Sequence, residues 1–247
     1  MIVTPRFVFL HLHKSGGTFA NVCLLQFVPD ARQIGYHLPR ELIPAAFSAL
    51  PVLGLVRNPW SYYVSWYAFQ SSRPEPNALY RALSNNGTLG FAGTVRNMLL
   101  LGRDDSILQK VLSVLPPSYT NRGLNLPAFA LEPIRGSGLG FYSFLHRHIF
   151  GTRTEDLIIG RMESLREELP SMLERAGQPV SPPMHAFITE SAALNASAHA
   201  EYSTYYDASL AKEVATADES VVARYGYGLR PAQMRDGPHP PRTPRGE

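Results

Sequence analysis

Residues 7–19 read FVFLHLHKSGGTF, and this stretch decides how the rest of the chain is interpreted. Residues 7–12 are apolar except at His11, and they run without a spacer into KSGGT at residues 14–18. A short apolar run bounded by glycines is typical of a buried strand. The pattern therefore predicts a strand over 6–12, a tight glycine loop, and a helix over 18–27.

The loop between that strand and helix has the composition of an anion-binding site. Adjacent glycines, Gly16 and Gly17, tolerate backbone conformations that other residues avoid, so successive N–H groups can converge on one anion. The positive end of the following helix adds to this effect. Lys14 supplies a cation, and Ser15 and Thr18 supply hydroxyls. The sequence predicts a cradle for a phosphate or sulfate group.

A second stretch, GLVRNPWSYYVSWY at residues 54–67, repeats the arrangement of strand, polar turn and helix. The strand over 52–56 is followed directly by Arg57. Asn58 suits the N-cap of the next helix and Pro59 suits its first turn, where a missing N–H costs nothing. An arginine fork with the hydroxyl of Ser65 two turns on would clamp a phosphate.

Strands and helices alternate along most of the chain. Further strands are predicted at 32–36 and 156–160, and further helices at 39–50, 59–71, 139–150, 163–176 and 209–224. Alternation with short connections predicts an α/β fold with a central parallel sheet flanked by helices. Ligands in such sheets bind at the carboxyl ends of the strands. Lys14, His37 and Arg57 each follow a strand and are expected to converge on one crevice.

Length and composition favour one globular domain. The chain has 247 residues, of which 45% are hydrophobic and 17% charged, so it can bury a sizeable core. We expect the domain to span 1–230 and the proline-rich segment 231–247 to be disordered. The net charge of +3 is mild, and a small polyanion explains it as well as nucleic acid would. No nucleic-acid partner is predicted.

Other classes of protein are disfavoured by the sequence. No window of about 18 apolar residues is present and the N-terminus does not read as a signal peptide, so a cytoplasmic protein with no transmembrane segment is expected. Cys23 is the single cysteine, so an internal disulfide is excluded. It lies in an apolar helix pattern. His11, His13 and His37 are metal-ligand types, but no cysteine or acidic ligand lies near them, and no metal site is predicted.

The order of residues in the glycine loop resembles one family. A nucleotide-binding loop has its lysine after the last glycine, G-x-x-x-x-G-K-[ST], whereas Lys14 precedes Gly16 and Gly17. The order HLHKSGGT at 11–18 resembles the 5′-phosphosulfate loop HxPK[ST]GGT of sulfotransferases that use 3′-phosphoadenosine-5′-phosphosulfate (PAPS). His13 replaces the usual proline.

The second stretch resembles the 3′-phosphate motif RxPxxRxxSxY of the same family. Arg57, Pro59, Ser65 and Tyr67 match it, and Tyr62 stands at its second basic position. Loss of that cation predicts a weaker grip on the 3′-phosphate, or compensation from elsewhere. Residues 195–228 are similar to the family's closing segment.

The resemblance implies a P-loop-like PAPS-binding core and no metal. It assigns the nucleotide to the glycine loop, the 3′-phosphate motif and the closing segment; the expected binding residues are Lys14, Ser15, Gly16, Gly17, Thr18, Phe19, Arg57, Ser65, Asn195 and Ser197. Residues 73–138, rich in proline with helical patches at 89–101 and 106–115, are expected to form a variable helical region that binds the acceptor.

The activity that the resemblance implies is in-line transfer of a sulfuryl group from PAPS to a hydroxyl or amine, leaving 3′-phosphoadenosine-5′-phosphate (PAP). The acceptor is expected to be a carbohydrate or glycolipid. Lys14 would stabilise the leaving oxygen and His37 would act as the general base. Glu41 is the substitute candidate for the base, followed by His11 or His13.

Two other functions remain open from the sequence. One is a protein that binds PAPS or a glycan without catalysis, as a degenerate member of the family would. A nucleotide kinase of the P-loop class is the other alternative, although the position of Lys14 and the lack of a strand ending in aspartate count against it. Oligomeric state is not predicted.

Overall fold

The computed structural model of the chain describes residues 1–192 and 199–229. Its strands form one sheet and are, in chain order, β1 to β5: Ile2–Val3, Val8–Leu10, Arg32–Gln33, Val52–Val56 and Leu157–Arg161. Their order across the sheet is β3-β1-β2-β4-β5. The predicted tail at 231–247 lies outside the described residues.

Helices flank this sheet on both sides. The α-helices, numbered α1 to α11 in chain order, are Gly17–Phe27, Pro59–Ser71, Ala78–Ser84, Gly90–Leu100, Asp105–Leu112, Ala128–Leu131, Phe141–Phe150, Leu165–Arg175, Pro182–Glu190, Ala208–Ala217 and Glu219–Tyr225. Short 3₁₀ helices lie at Arg40–Leu42, Ala45–Phe47, Glu132–Ile134, Met162–Ser164 and Tyr202–Tyr205. The predicted α/β class is confirmed.

The sheet is mixed, whereas a wholly parallel one was predicted. β2, β4 and β5 run parallel, but β1 pairs antiparallel with both β2 and β3. A tight turn joins β1 to β2, in which the Thr4 hydroxyl donates to the carbonyl of Phe7 at 2.8 Å and accepts its N–H at 2.9 Å. Such a short connection can join only antiparallel strands. β1 was not predicted because two residues are too short for a periodic pattern.

The mixed pairing still brings the three predicted strand ends together. Since β3 is antiparallel to β1 and β1 is antiparallel to β2, β3 runs in the same direction as β2. The residues that follow β2, β3 and β4 therefore leave the sheet at the same edge. These segments carry Lys14, His37 and Arg57.

Apolar side chains from both faces of the sheet form two cores. Along β2, Val8 and Leu10 contribute to one buried cluster and Phe9 to the other. The first cluster includes α2 and α7, and the second includes α1, α8 and α9. This alternation is the period of a strand buried on both faces.

Two predicted helices are interrupted. Residues 39–50 form two 3₁₀ turns with Ile43 extended between them, because Pro44 lacks an N–H and disfavours helical geometry in the residue before it. The helix predicted over 209–224 breaks at Asp218, whose buried carboxylate accepts from Tyr63 Oη and the backbone N–H of Ser143, both at 2.7 Å.

The region from 73 to 138 is helical, with α3 to α6 joined by loops. α3, α6 and α9 were not predicted, although α3 and α9 each have a cap: Asn77 accepts from Tyr80 N at 2.8 Å and Ser181 from Met184 N at 3.4 Å. None of the helices within 1–192 and 199–229 is long and apolar enough to cross a membrane.

Candidate functional site

The loop between β2 and α1 departs from ordinary backbone geometry at two residues. Lys14 has φ 59° and Gly16 has φ 78°, both in the left-handed region. That region is uncommon for a side chain as large as lysine. Gly16 is the N-cap of α1, no side chain caps the helix, and its first turn contains no acidic residue. The backbone N–H groups of Gly17 and Thr18, at the start of α1, therefore have no intrahelical carbonyl partner.

The two glycines of this loop are needed for different reasons. Gly16 has a positive φ, and a Cβ there would also lie 2.7 Å from Leu165 Cδ1. Gly17 has no positive φ, but a Cβ there would lie 2.0 Å from Cδ2 of the His11 ring. The expectation that both glycines relieve the backbone is therefore wrong for Gly17, where the requirement is space for His11.

Arg57, directly after β4, connects the second motif to the first. Its Nη1 donates to the carbonyl oxygen of Lys14 at 3.2 Å, and its Nε donates to Ser61 Oγ at 2.9 Å. Arg57 is buried, with 9% of its surface exposed. The guanidinium thus lies against the glycine loop, as the convergence of strand ends requires.

The local sequence around Arg57 folds as predicted. Asn58 caps α2, accepting from Trp60 N at 3.0 Å and Ser61 N at 3.4 Å, and Pro59 occupies the first turn. The serine in contact with the guanidinium is Ser61, one turn on, which was not among the predicted site residues. Ser65 lies one turn further along α2 and is buried. The i, i+4 spacing of Arg57 and Ser61 was the signal that could have identified Ser61.

Tyr142, on α7, lies between the two motifs and was missed. Its hydroxyl accepts the backbone N–H of Arg57 at 2.7 Å and lies 3.4 Å from Ser15 Oγ. Its ring packs on Tyr62 with 4.3 Å between centroids. No local pattern predicts this contact, because Tyr142 is 127 residues from Ser15 in the chain.

Tyr62 does not take the place of the basic residue of the family motif. Its side chain is fully buried between Tyr63 and Tyr142, and its hydroxyl has no hydrogen-bond partner among the described residues. Burial holds the pKa of Tyr62 well above its usual value, so the phenol stays neutral. This side chain contributes packing rather than charge.

Charge at the site is positive and partly desolvated. Burial, and then the neighbouring charge of Arg57, lower the pKa of Lys14 to about 8. The ammonium of Lys14 also lies 4.4 Å from the centre of the Phe69 ring. Burial lowers the pKa of Arg57, and the carboxylate of Glu163 opposes this effect. Glu163 is held by the backbone N–H of Asn58 at 2.7 Å and by Tyr227 Oη at 3.2 Å.

His37 lies within a histidine cluster at the same edge of the sheet. Its ring centroid is 4.4 Å from that of His11 and 5.2 Å from that of His13, and its Nδ1 lies 2.8 Å from the carbonyl oxygen of His11. Burial lowers the pKa of His37 to about 4, although the hydrogen bond to His11 favours the charged form. The pKa of His37 therefore lies well below the ordinary value of about 6.5 for a histidine. His37 is neutral at pH 7, as a general base must be.

The remaining predicted residues have different surroundings. The Phe19 side chain is 6% exposed and stacks on Phe187 of α9 at 5.3 Å, so it packs in the core. Glu41 is exposed, in the 3₁₀ turn Arg40–Leu42, and lines a cleft with Tyr119 and Phe129. Asn195 and Ser197 lie outside the described residues.

Comparison with known proteins adds no family assignment. No protein-family model matches the chain, and a search of curated proteins found no match. Within residues 1–192 and 199–229, no three histidine, cysteine or acidic side chains are arranged to hold a metal ion. The site is therefore defined by its geometry and by the sequence motifs.

Proposed function

We propose that this chain is a PAPS-dependent sulfotransferase. The observation that carries the proposal is the hydrogen bond from Arg57 to the backbone carbonyl of Lys14, which holds the guanidinium against the glycine loop that also carries the Lys14 ammonium. Each charge disfavours the other in a partly desolvated site, as the lowered pKa of Lys14 reflects. A polyanionic ligand bound between them would remove that repulsion. A nucleotide with phosphate groups at both ends meets this requirement.

The two motifs would divide the nucleotide between them in a P-loop-like core. The N–H groups at the start of α1, with Lys14, would hold the 5′-phosphosulfate. Arg57 and Ser61 would hold the 3′-phosphate from the start of α2, with Ser65 further along the same helix. Asn195 and Ser197 remain predicted contacts to the nucleotide.

In the proposed reaction, the acceptor oxygen or nitrogen bonds to sulfur as the bond between sulfur and the 5′-phosphate oxygen breaks. The electron pair of that bond stays on PAP. Lys14 and the amides of Gly17 and Thr18 would stabilise the charge developing on the leaving oxygen. His37 would take the acceptor's proton. Since a carbonyl oxygen only accepts, its hydrogen bond with His11 places the proton of neutral His37 on Nδ1 and leaves Nε2 as the basic atom.

The proposed acceptor is a carbohydrate or glycolipid. An open cleft of about 510 Å³ at the surface is lined by Tyr119, Phe129 and Pro133, which belong to the region 73–138 predicted to bind the acceptor. Glu41, from outside that region, also lines it. Phe129 is 59% exposed and packs edge-on against Tyr119, with centroids 5.6 Å apart. An exposed aromatic surface beside carboxylate and guanidinium groups suits a hydroxyl-bearing ring.

The proposal is tested by incubating the protein with ³⁵S-labelled PAPS and panels of glycans, glycolipids, phenols and peptides, in the presence of EDTA. Transfer of label to an acceptor, with release of PAP, is expected without added metal. Binding of PAP without transfer to any panel would indicate a degenerate binding protein. Phosphoryl transfer from ATP that requires Mg²⁺ would indicate a kinase and contradict the proposal.

A further inference from the structure

Four histidines, one of which is His37 of the candidate site, form a cluster. His11, His13 and His37 are in ring contact, and His148, from α7, joins them by lining the same small cavity as His13 and His37. The sequence separates His148 from the others by more than a hundred residues. The cluster therefore exists only in the folded chain.

The small cavity is the size of one water molecule. Besides the three histidines, five aliphatic side chains line it, and about 10 Å³ is open to the centre of a water-sized sphere. One buried water needs about that much space and two to four polar partners. The three imidazoles supply the polar partners.

Two of these imidazoles have unsatisfied nitrogens. His13 Nδ1 and His148 Nε2 are buried, and neither has a hydrogen-bond partner among the described residues. Buried polar atoms in folded proteins are nearly always paired with protein or with ordered water. A water in the cavity can donate to one imidazole and accept from another.

His148 also faces a second space. It lines the open cleft of about 510 Å³ that contains Glu41, Phe129 and Arg147, and its ring is stacked nearly parallel on Phe144, 6.0 Å between centroids. His148 thus lines both the water-sized cavity and the open cleft. His37, in contrast, is only 7% exposed.

We infer that one ordered water occupies this cavity, bridging His13 and His148 beside His37, and that His148 passes to the cleft the proton that His37 removes from the acceptor. The water site stands on the cavity alone, whereas the role of His148 rests on the proposed sulfuryl transfer. The proton moves from the acceptor to His37 Nε2, then to the water, while a proton of that water moves to His148 Nε2. His148, now protonated on both nitrogens, releases the proton of Nδ1 to the cleft, so each group is neutral again and the chain has gained no proton.

The electrostatics favour release of the proton rather than its retention by the histidines. Burial lowers the pKa of His37 and of His148 to about 4, and that of His13 well below its usual value, so all three rest neutral at pH 7. The charges of His37 and Lys14 further lower the pKa of His13. Burial is the cause of the shift for His148, which lies beside open solvent. None of the three rings therefore retains a proton at pH 7, and His148 is the one of them that lines the cleft, where the proton can be released.

The water is tested by a high-resolution crystal structure of the full chain, in which we expect density between His13 and His148.

The role of His148 in passing the proton to the cleft, here called the outlet, is tested by PAPS hydrolysis. In this reaction water replaces the unknown acceptor, and PAP release is measured in weak buffer. His148→Ala should lower the rate by about tenfold, less than loss of a positioned base, and leave the Kd for PAP unchanged. Imidazole added at roughly 50 mM should restore most of the rate by acting from the cleft, as the buffer base in place of the missing ring.

Two further variants control for a purely structural effect. His146→Ala removes a buried histidine of the same helix that is bonded to Tyr225 Oη at 2.8 Å, and any loss it causes should not respond to imidazole. His148→Gln keeps a hydrogen-bonding group but carries no proton, and should be as slow as His148→Ala. An empty cavity in the crystal would overturn the water site. An unchanged rate in His148→Ala, or a loss that imidazole does not restore, would overturn the outlet.

The experiments distinguish failure of the proposed sulfotransferase function from failure of the outlet. If PAP binds and PAPS is hydrolysed but His148 variants are unaffected, the proposed function stands and the outlet is wrong. If neither PAP nor PAPS binds, the proposed function and the outlet are both wrong, while density in the cavity still decides the water site.

Discussion

The Nη1 atom of Arg57 donates a hydrogen bond to the carbonyl oxygen of Lys14 at 3.2 Å. This contact ties the guanidinium of Arg57 to the backbone of the loop after β2, so the two cations that the sequence presents separately belong to one site. Both charges are partly removed from water, so their interaction with a bound anion is stronger than it would be on the surface. The first two predictions depend on this pair.

The 3′-phosphate, which is the only group by which PAP differs from AMP, should contribute strongly to the binding of PAP. We expect PAP to raise the melting temperature, with a stabilisation of about 2.7 kcal/mol at a hundredfold excess over Kd, and AMP to do much less. Arg57→Ala should cost roughly 2–4 kcal/mol of PAP binding and bring PAP down to the level of AMP. Arg122→Ala, at an exposed arginine, is the matched control. Equal shifts in melting temperature by PAP and AMP in the unmodified chain would show that Arg57 does not bind the 3′-phosphate.

Binding of PAP should be coupled to uptake of a proton by Lys14. With a pKa of about 8 in the free protein, the amine is about half protonated at pH 8. A bound anion favours the charged form and raises this pKa, so protons are taken up on binding. Calorimetry at pH 8 should give different binding enthalpies in Tris and HEPES. Lys14→Met should abolish the difference, and identical enthalpies in the unmodified chain would contradict the assignment.

His37→Ala should lower kcat by about 10²–10⁴ and leave the Kd for PAP nearly unchanged, because a general base acts on the acceptor and not on the nucleotide. Since burial lowers the pKa of His37 to about 4, kcat/KM should stay level from pH 7 to pH 5 and fall only below that. A fall centred near pH 6.5, or full turnover in the variant, would exclude His37, and Glu41→Gln would be the next variant to measure.

Gly17→Ala should destabilise the fold by about 1–3 kcal/mol, because the new Cβ would lie 2.0 Å from the His11 ring. The double variant His11→Ala, Gly17→Ala should lose less than the sum of the two single losses, since removing the ring makes room for the methyl group. Gly228→Ala, where a Cβ meets nothing within 4 Å, is the control. Urea unfolding measures all four chains. Additive losses would show that the constraint at Gly17 is not the His11 ring.

Stability should fall as the pH is lowered from 7 to 5.5. Burial lowers the folded-state pKa of His37, His146 and His148 to about 4, and those of His11 and His13 also lie well below 6.5. The unfolded chain therefore binds more protons in this window, and each such histidine adds up to about 1.4 kcal/mol per pH unit to the slope, with about half of that at pH 6.5.

One buried acid opposes that slope. Burial raises the pKa of Asp218 to about 6, so the folded chain binds this proton more tightly and the slope is reduced by up to one proton, about half of one at pH 6. His146→Phe should reduce the dependence by one histidine's share, whereas His185→Gln, at an exposed residue, should not. The slope is measured by urea unfolding at pH 5.5 to 7. Stability that is flat with pH in the unmodified chain would contradict the burial of the cluster.

The sequence by itself determined the local units of this protein. β4 and α2 have the predicted bounds, and α1 begins one residue earlier than predicted, because strand periodicity, the Asn58 cap and Pro59 are local signals. It also determined that Lys14 and Arg57 each follow a strand. The sequence did not predict β1, because this strand has only two residues. It also predicted one continuous helix over 39–50, which is interrupted at Pro44.

Only the tertiary structure decided which side chains meet. Tyr142 between the two motifs, His148 behind His37, and the His11 ring against Gly17 are contacts between residues distant in the chain or across a loop. The pKa of His37 was also decided there, because burial depends on how the helices close over the sheet edge. Local patterns record propensity and period, whereas contact and desolvation depend on how separate elements pack together, and a single sequence does not encode that in any one stretch.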